Sequence, residues 1–230
     1  MERKTDEIRI LGIESSGLVS GVYISRGSNL IGQIALNVKN IHSERLATIL
    51  EQLLSRVHLK FNELSALAIS AGPGSFTGLR IGYSLVKGLG HSLNIPIVEV
   101  PTLDIWSYQE GEQEIPVFSI IDAHRNEIYY GSYFWENGKM EKKDKYHLIA
   151  IQDLKKILKQ STLFVGGDLI RLKDKIIEIG SDKIVFPTIL KTEPESWAFA
   201  EIAYQKFLKD DFSDLKKCEP MYIRDFKGIM

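Results

Sequence analysis

The feature that most constrains the fold of this chain is an order of elements that occurs twice. Short runs rich in β-branched residues predict strands, and apolar residues at intervals of three and four predict helices. The first half gives strands at 8–13 and 18–24, a third strand after a turn at 26–29, a helix at 42–57, a strand at 64–70, a helix at 76–93 and a strand at 97–100. The second half gives strands at 117–121, 127–134 and 146–149, a short helix at 151–159, a strand at 163–165 and a helix capped by Asp168 that ends near Ile179. This repetition predicts two similar α/β lobes, each a mixed sheet with helices, and not one continuously wound sheet.

A polar stretch at 109–114 separates the two halves, so the predicted lobes are 1–110 and 111–230. A further helix is expected at about 194–208, within the second lobe, and an extended tail follows at 219–230. The charged segment 137–145 leaves the third strand of the second lobe open, because it is also compatible with a loop.

Composition limits the classes of function. The 29 basic residues against 30 acidic ones give a net charge of -1, whereas a domain that binds nucleic acid alone usually has a basic excess. Cys218 is the one cysteine, so neither an intrachain disulfide nor a site of paired thiolates is expected. The polar start at 1–7 does not resemble a signal peptide, and no apolar run is long enough to cross a bilayer. These features predict a soluble cytoplasmic protein with no membrane contact.

The segment 72–78 is rich in glycine, follows a predicted strand and opens a predicted helix. Free backbone amides at such a helix start can receive an anion. The glycine spacing nevertheless departs from the dinucleotide-binding, Walker and nucleophile-elbow motifs, which favours a structural turn over a phosphate cradle. If the segment does bind a nucleotide or anion, the candidate contacts are Glu14, Gly72, Gly74 and Ser75.

Other residues with chemical potential form no recognisable constellation. The five histidines include no pair at the spacing of a local metal site, so no metal ligands are assigned. Asp122 and Glu127 flank a predicted turn between strands. They could act as paired carboxylates, but such residues more often accept hydrogen bonds from turn amides.

The predicted helix at 76–93 has more apolar surface than one buried face requires. Leu79, Tyr83 and Val86 form one stripe, and a second stripe consists of Ile81, Leu85 and Leu89. Four glycines lie in or near this helix, at 78, 82, 88 and 90, where each costs roughly 1 kcal/mol relative to alanine. Close contact with another element would offset that cost, so the extra face either meets a partner or is covered by the second lobe.

Five segments together resemble one protein family, TsaB (also called YeaZ), of the bacterial tRNA threonylcarbamoyladenosine system. The matching segments are 10–16, 42–46, 72–82 with 87–89, 122–129 and 220–224. One departure is Glu14, where the family commonly has aspartate.

The resemblance implies two actin-like lobes of the ASKHA, RNase H-like class and a non-catalytic subunit with no catalytic residue of its own. Such a subunit dimerises with TsaD. With the transient ATPase partner TsaE, TsaD then moves threonylcarbamoyl from its adenylate to the adenosine beside the tRNA anticodon. The resemblance also implies a homodimer when the chain is alone, tRNA contact only through the complex, and ATP or ADP at the complex interface but none tightly bound here. The implied contact surface lies on two helices, with the residues His42, Leu46, Ile49, Leu53, Leu79, Gly82, Tyr83 and Val86.

The alternative is an ATP-dependent small-molecule kinase of the same actin-like superfamily. Glu14 would then lie near a metal, and Gly166, Gly167 and Asp168 near the nucleotide. A missing second acidic signature and short lobes with little room for a substrate domain disfavour this kinase.

Overall fold

A computed structural model describes residues 7–37 and 43–223. The chain divides into two compact units. Unit 1 comprises Met1–Thr102 and Glu195–Met221, and unit 2 comprises Leu103–Pro194 and Tyr222–Met230.

Eleven strands and six α-helices make up the described parts of the chain. The strands are β1 Arg9–Glu14, β2 Ser20–Arg26, β3 Asn29–Leu36, β4 Ala66–Gly72, β5 Ile97–Pro101, β6 Val117–His124, β7 Glu127–Glu136, β8 Lys139–Lys142, β9 His147–Ala150, β10 Thr162–Val165 and β11 Ile184–Val185. The helices are α1 Ser43–Arg56, α2 Phe76–Leu93, α3 Thr102–Tyr108, α4 Leu154–Ile157, α5 Leu169–Ile177 and α6 Ser196–Leu208. Among the described residues, none of these helices combines the length and apolar character needed to cross a bilayer.

Unit 1 is built on a five-stranded sheet in the order β3-β2-β1-β4-β5. The first three strands are antiparallel, and β4 and β5 run parallel to β1. Helices α1 and α2 pack on one face, where their apolar stripes meet Leu11 and Ile13 of β1 and Val22 and Ile24 of β2. This cluster is the hydrophobic core of the unit.

Helix α6 belongs to unit 1, which corrects the predicted lobes 1–110 and 111–230. The ring of Phe199 lies 4.8 Å from that of Tyr23, edge to face. Because alternate residues of a strand point to opposite faces, Tyr23 points away from the α1–α2 side, so α6 covers the other face of the sheet. Three buried alanines, Ala198, Ala200 and Ala203, allow the helix to approach the strands closely. The first boundary between the units therefore falls after Thr102, before most of α3, a helix that the sequence patterns did not predict.

Unit 2 has a six-stranded sheet in the order β11-β10-β6-β7-β8, with β9 also paired to β7. The first half of β7 pairs with β9 and its second half pairs with β8. The charged segment that was compatible with a loop thus forms a hairpin, with Asn137 and Gly138 at positive φ in the turn. The helix expected at 151–159 is shorter, since a 3-10 turn at Ile151–Asp153 precedes the four-residue α4.

Candidate functional site

The glycine segment at the start of α2 packs directly against the loop that follows β1. The amide of Ser75 donates a hydrogen bond to the carbonyl oxygen of Ser16 across 2.7 Å. A Cβ atom on Gly74 would lie less than 3.0 Å from the Ser16 carbonyl oxygen, and one on Gly78 equally close to that of Ser15. Both glycines are therefore needed for this close approach.

This packing also determines whether the helix start can hold an anion. The Ser75 hydroxyl is the N-cap of α2 and accepts from the Gly78 amide at 3.2 Å. The amides of Ser75 and Gly78 at the helix start thus already donate hydrogen bonds within the chain. The carbonyl oxygens of Ser15 and Ser16 in the β1 loop lie beside the helix start. Gly72, at φ 94°, lies against Leu79 and the tail at Met221. The geometry favours the structural turn over a phosphate cradle at this helix start.

Glu14 lies inside unit 1. Its Oε1 accepts hydrogen bonds from both the amide and the hydroxyl of Ser16, each at 2.6 Å. Its Oε2 and the hydroxyl of Tyr23 are buried without a hydrogen-bond partner among the described residues. Burial raises the pKa of the Glu14 carboxyl above its ordinary value, against the lowering effect of the Ser16 hydrogen bonds. The Glu14 carboxyl is thus largely enclosed and committed to Ser16.

The expected interface side chains prove to be core residues. Leu79, Tyr83 and Val86 are the buried face of α2, and Tyr83 also donates to the carboxylate of Glu99 on β5. Gly82 is buried against Ser15 and Ile69. The α1 residues of the set are likewise buried in the unit 1 core, namely Leu46, Ile49 and Leu53. The expectation that these side chains are available to a partner is wrong, and His42 lies outside the described residues.

The exposed side of α2 has a different chemistry. Phe76 is 45% exposed, and the guanidinium of Arg80 lies 3.8 Å from the centre of its ring. Beside them a shallow cavity of about 390 Å³ is lined also by Thr77, Ile81 and Ser84. The second apolar stripe, Ile81, Leu85 and Leu89, is half-buried and packs against the unit 1 core.

Gly88 distinguishes this exposed side from the rest of α2. Added Cβ atoms at Gly78, Gly82 and Gly90 would all meet atoms of unit 1, whereas one at Gly88 would meet nothing within 4 Å. The cost of a mid-helix glycine at this position is therefore not offset by any packing within the described residues. At the helical interval of three and four residues, Thr77, Ile81, Ser84, Gly88 and His91 lie along one side, called here the α2 outer face.

In unit 2, Arg171 pairs with Asp122 and Asp168 in a small ionic cluster. The Asp122 carboxylate accepts from the amide of His124 at 2.7 Å, as expected for a residue that satisfies a turn. Asp168 does not cap α5 with its side chain but accepts from the amide of Asp122 at 3.0 Å and pairs with Arg171. Asp168 raises the pKa of the Arg171 guanidinium, and Asp122 adds to this effect.

The Asp122 carboxylate is occupied by the turn amide of His124, which favours the turn role over paired carboxylates for acid/base chemistry. Glu127 is the first residue of β7, directly follows the turn at 125–126, and is half-buried. Within residues 7–37 and 43–223, no group of three or more His, Cys, Asp or Glu side chains is arranged to hold a metal ion.

Comparison with known proteins gives consistent matches over nearly the whole chain. The model of the family described as "TsaD: tRNA N6-adenosine threonylcarbamoyltransferase" matches residues 31–219. The tRNA threonylcarbamoyladenosine biosynthesis protein TsaB of Bacillus subtilis (strain 168) is 28% identical, over 94% of this chain and 93% of its own length. Its counterpart in Escherichia coli (strain K12) is 22% identical, over 95% of both chains.

Solved structures show the same fold. YeaZ from Pseudomonas aeruginosa superposes with a TM-score of 0.78 at 21% identity, covering 94% of this chain and 99% of that protein. A second structure, described as similar to the peptidase YeaZ from the same organism, gives a TM-score of 0.80 at 20% identity, with 94% and 100% coverage. The two-sheet α/β fold expected from the resemblance is confirmed.

Proposed function

Because this chain belongs to the TsaB (YeaZ) family, within the group matched by the TsaD model, we propose that it acts in tRNA threonylcarbamoyladenosine biosynthesis as a non-catalytic subunit. It docks on TsaD, and TsaD transfers threonylcarbamoyl to the adenosine next to the anticodon. TsaE joins transiently as the ATPase, and tRNA is bound through the complex. In the absence of TsaD the same docking surface pairs two copies of this chain.

The observation that carries this proposal is the α2 outer face. Gly88, Ser84 and Thr77 are small and lie on one side of a helix whose other side is buried in the core. Small residues let a second helix approach closely, which would compensate for the glycine at 88. Phe76 and Arg80 lie at the start of this side, and an aromatic ring and an arginine are residue types that dominate binding energy in interfaces.

The non-catalytic assignment is supported by how unit 1 uses its candidate groups. Glu14 is enclosed, and Ser75 is committed to the helix cap and to the β1 loop. We therefore assign no tightly bound nucleotide to this chain and place ATP or ADP at the interface of the complex. The alternative small-molecule kinase would need groups that reach a substrate from this region.

The test replaces Gly88 by arginine. On an exposed helix, arginine is favoured over glycine by roughly 1 kcal/mol, so the variant should be at least as stable as the parent chain. A long cation at the centre of a close helix contact should nevertheless weaken TsaD binding by about 30-fold or more, the loss of a hot spot worth about 2 kcal/mol. Titration calorimetry with the cognate TsaD measures the affinity, and transfer of threonylcarbamoyl to tRNA reports activity.

Gln205→Arg is the matched control, since Gln205 is an exposed residue of α6 in the same unit. It adds the same side chain away from the α2 outer face and should leave both affinity and transfer unchanged. Equal TsaD affinity for Gly88→Arg and the parent chain would show that this face is not the docking surface. Steady ATP hydrolysis by the purified chain, with phosphorylation of a small molecule, would favour the kinase instead.

A further inference from the structure

A cavity of about 770 Å³ in unit 2 lies apart from every residue discussed for docking or nucleotide binding. Its wall combines the turn between β6 and β7, the chain after β9 and the second half of α5. Arg125 and Asn126 come from the turn, Gln152 and Lys155 from the region after β9, and Lys175 from α5. Its volume is within the range of ligand-binding cavities.

Three of these lining residues are cations, and one acid, Glu178, opposes them. The ammonium of Lys175 donates to the side-chain oxygen of Asn126 at 3.0 Å, and that of Lys155 to the carbonyl of Gly180 at 3.5 Å. Both acceptors are neutral. Across the described residues, none of the three cations forms a salt bridge, whereas other cations of unit 2, including Lys156 and Arg171, do. The cavity therefore has a local positive excess in a chain whose net charge is -1.

A tight turn with left-handed backbone presents Arg125. His124, Arg125 and Asn126 have φ values of 61°, 55° and 61°, and none of them is glycine. Arg125 and Asn126 form the two-residue turn of the β6–β7 hairpin, a type of turn that takes positive φ at both central residues. Here the Asn126 carbonyl accepts from the amide of Ile151 at 2.9 Å, and Asp122 holds the amide of His124. The turn is thus fixed from both sides with Arg125 exposed at the cavity.

We propose that this cavity binds phosphate groups of an RNA backbone, and that it contacts the tRNA when the complex forms. Lysine and arginine are the main ligands of phosphate in nucleic-acid interfaces, and amide side chains such as those of Asn126 and Gln152 supply further donors. The described lining residues include no aromatic ring on which a nucleobase could stack, which favours the backbone over a free nucleotide. Contacts of this kind position a nucleic acid without reading its sequence.

This inference rests on the proposed function, because the RNA is the tRNA of that pathway. The chain need not bind RNA alone, since a few phosphate contacts add to the affinity of a larger assembly. The cavity would then help to orient the tRNA on TsaD while the α2 outer face holds the two proteins together.

The experiment measures binding of labelled tRNA by the complex of this chain with its cognate TsaD. Arg125→Gln with Lys155→Gln removes two cations, and neither side chain holds a carboxylate in unit 2. The double variant should bind tRNA roughly 100-fold more weakly or worse, since each of the two lost charged hydrogen bonds is worth about 1.5 kcal/mol or more. The slope of log affinity against log salt should fall by about 1 for each lost contact.

Two further variants control for charge and structure. Lys139→Gln with Lys145→Gln makes the same charge change at exposed positions of unit 2 that do not line the cavity, and it should leave tRNA affinity unchanged. Glu178→Gln should tighten tRNA binding, because it removes the acid that faces the phosphates. A purely structural role for the cavity would not give this opposite sign. Urea unfolding of each variant checks that the fold is intact.

Each outcome decides the matter. Unchanged tRNA affinity in the Arg125 and Lys155 double variant overturns the proposal, as does a complex that does not bind tRNA at all. A variant that loses ATP or pyrophosphate binding but keeps tRNA binding points to a free phosphate compound and overturns the RNA assignment. Loss of TsaD binding in the double variant would make the cavity a protein contact. TsaD affinity is measured separately for every variant, so failure of the docking proposal is distinguishable from failure of this one.

Discussion

The carbonyl oxygen of Ser16 accepts a hydrogen bond from the amide of Ser75 at 2.7 Å, and this bond ties the loop after β1 to the start of α2. It brings two chain segments nearly sixty residues apart into backbone contact, so no side chain fits at Gly74 or Gly78. The same contact uses the amide that an anion at the helix start would need. The helix start can therefore either pack closely against the β1 loop or bind an anion. In this chain it packs against the loop.

Gly78→Ala and Gly88→Ala make the same chemical change on one helix and should have opposite effects on stability. At Gly78 the new methyl group would lie under 3.0 Å from the Ser15 carbonyl oxygen, so the variant should lose about 1–3 kcal/mol through overpacking. At Gly88 the methyl meets open space, and alanine should add roughly 1 kcal/mol through helix propensity. Urea unfolding measures both. Equal effects of the two changes would mean that the β1 loop does not press on the helix start.

The buried carboxyl of Glu14 should make stability depend on pH. Burial raises its folded-state pKa, so its contribution to stability is complete below the unfolded value of 4.5 and is lost as pH rises through the folded pKa. Glu14→Gln keeps an oxygen that can accept from Ser16 but cannot ionise. As pH rises from 4.5 to 8, the free energy of unfolding should therefore increase for the variant relative to the parent. Parallel pH curves for Glu14→Gln and the parent would refute the enclosed position of Glu14.

The fold follows well from local patterns, and the proposed docking face does not. Asn-Gly is the strongest short-range hairpin signal, and Asn137 and Gly138 form the turn between β7 and β8. The charged residues of this segment were equally compatible with a loop, so the pattern alone did not identify β8 as a strand. Periodicity identified the buried stripe of α2 correctly as apolar. It did not indicate whether that stripe meets the chain's own sheet or a partner, because both contacts require the same residues.

Sequence patterns did not identify two features, the sheet on which α6 packs and the α2 outer face. Helix α6 returns to unit 1 and covers Tyr23 through Phe199, but nothing local to residues 194–208 indicates which sheet it packs on. Apart from Ile81, the α2 outer face consists of small and polar residues such as Ser84, which hydropathy does not distinguish from ordinary surface. Its one sequence signal was the glycine at 88, and only coordinates separate that glycine from those used in internal packing.

Tyr83→Asp and Ser84→Asp compare neighbouring residues on opposite sides of α2. Tyr83 is buried, and its hydroxyl donates to Glu99, so aspartate there creates a cavity and places a second carboxylate near the first. That variant should lose about 3–5 kcal/mol of stability or fail to fold. Ser84 is exposed, so Ser84→Asp should fold like the parent and lose affinity for TsaD. Circular dichroism with thermal unfolding reports the first effect and calorimetry with TsaD the second. A stable, fully folded Tyr83→Asp chain would contradict the core position of Tyr83.

Cys218 should be protected from thiol reagents in the folded chain. Its thiol is buried, and its Sγ lies 3.6 Å from the Oε1 of Glu99, which also accepts from Tyr83 and whose other oxygen accepts from Ser213. Burial, with the charge of Glu99 as the next cause, raises the pKa of this thiol to about 12. Because the thiolate is the reactive form, labelling at pH 8 should follow unfolding and accelerate in urea in proportion to the unfolded fraction. Fast labelling without urea would show that the tail around Cys218 is not packed on β5.

The same raised pKa predicts a loss of stability at alkaline pH. The unfolded thiol ionises near 9.0 while the folded thiol stays protonated to about 12, so the stabilising contribution is complete below pH 9.0 and decreases between these values. Cys218→Ala removes the titration but leaves the lysines and tyrosines that also ionise in this range, so their effects cancel in the comparison. From pH 8 to pH 10.5, the parent should therefore lose more free energy of unfolding than Cys218→Ala. Identical losses for the two chains would mean that the folded thiol titrates at its ordinary value and that Glu99 does not face it.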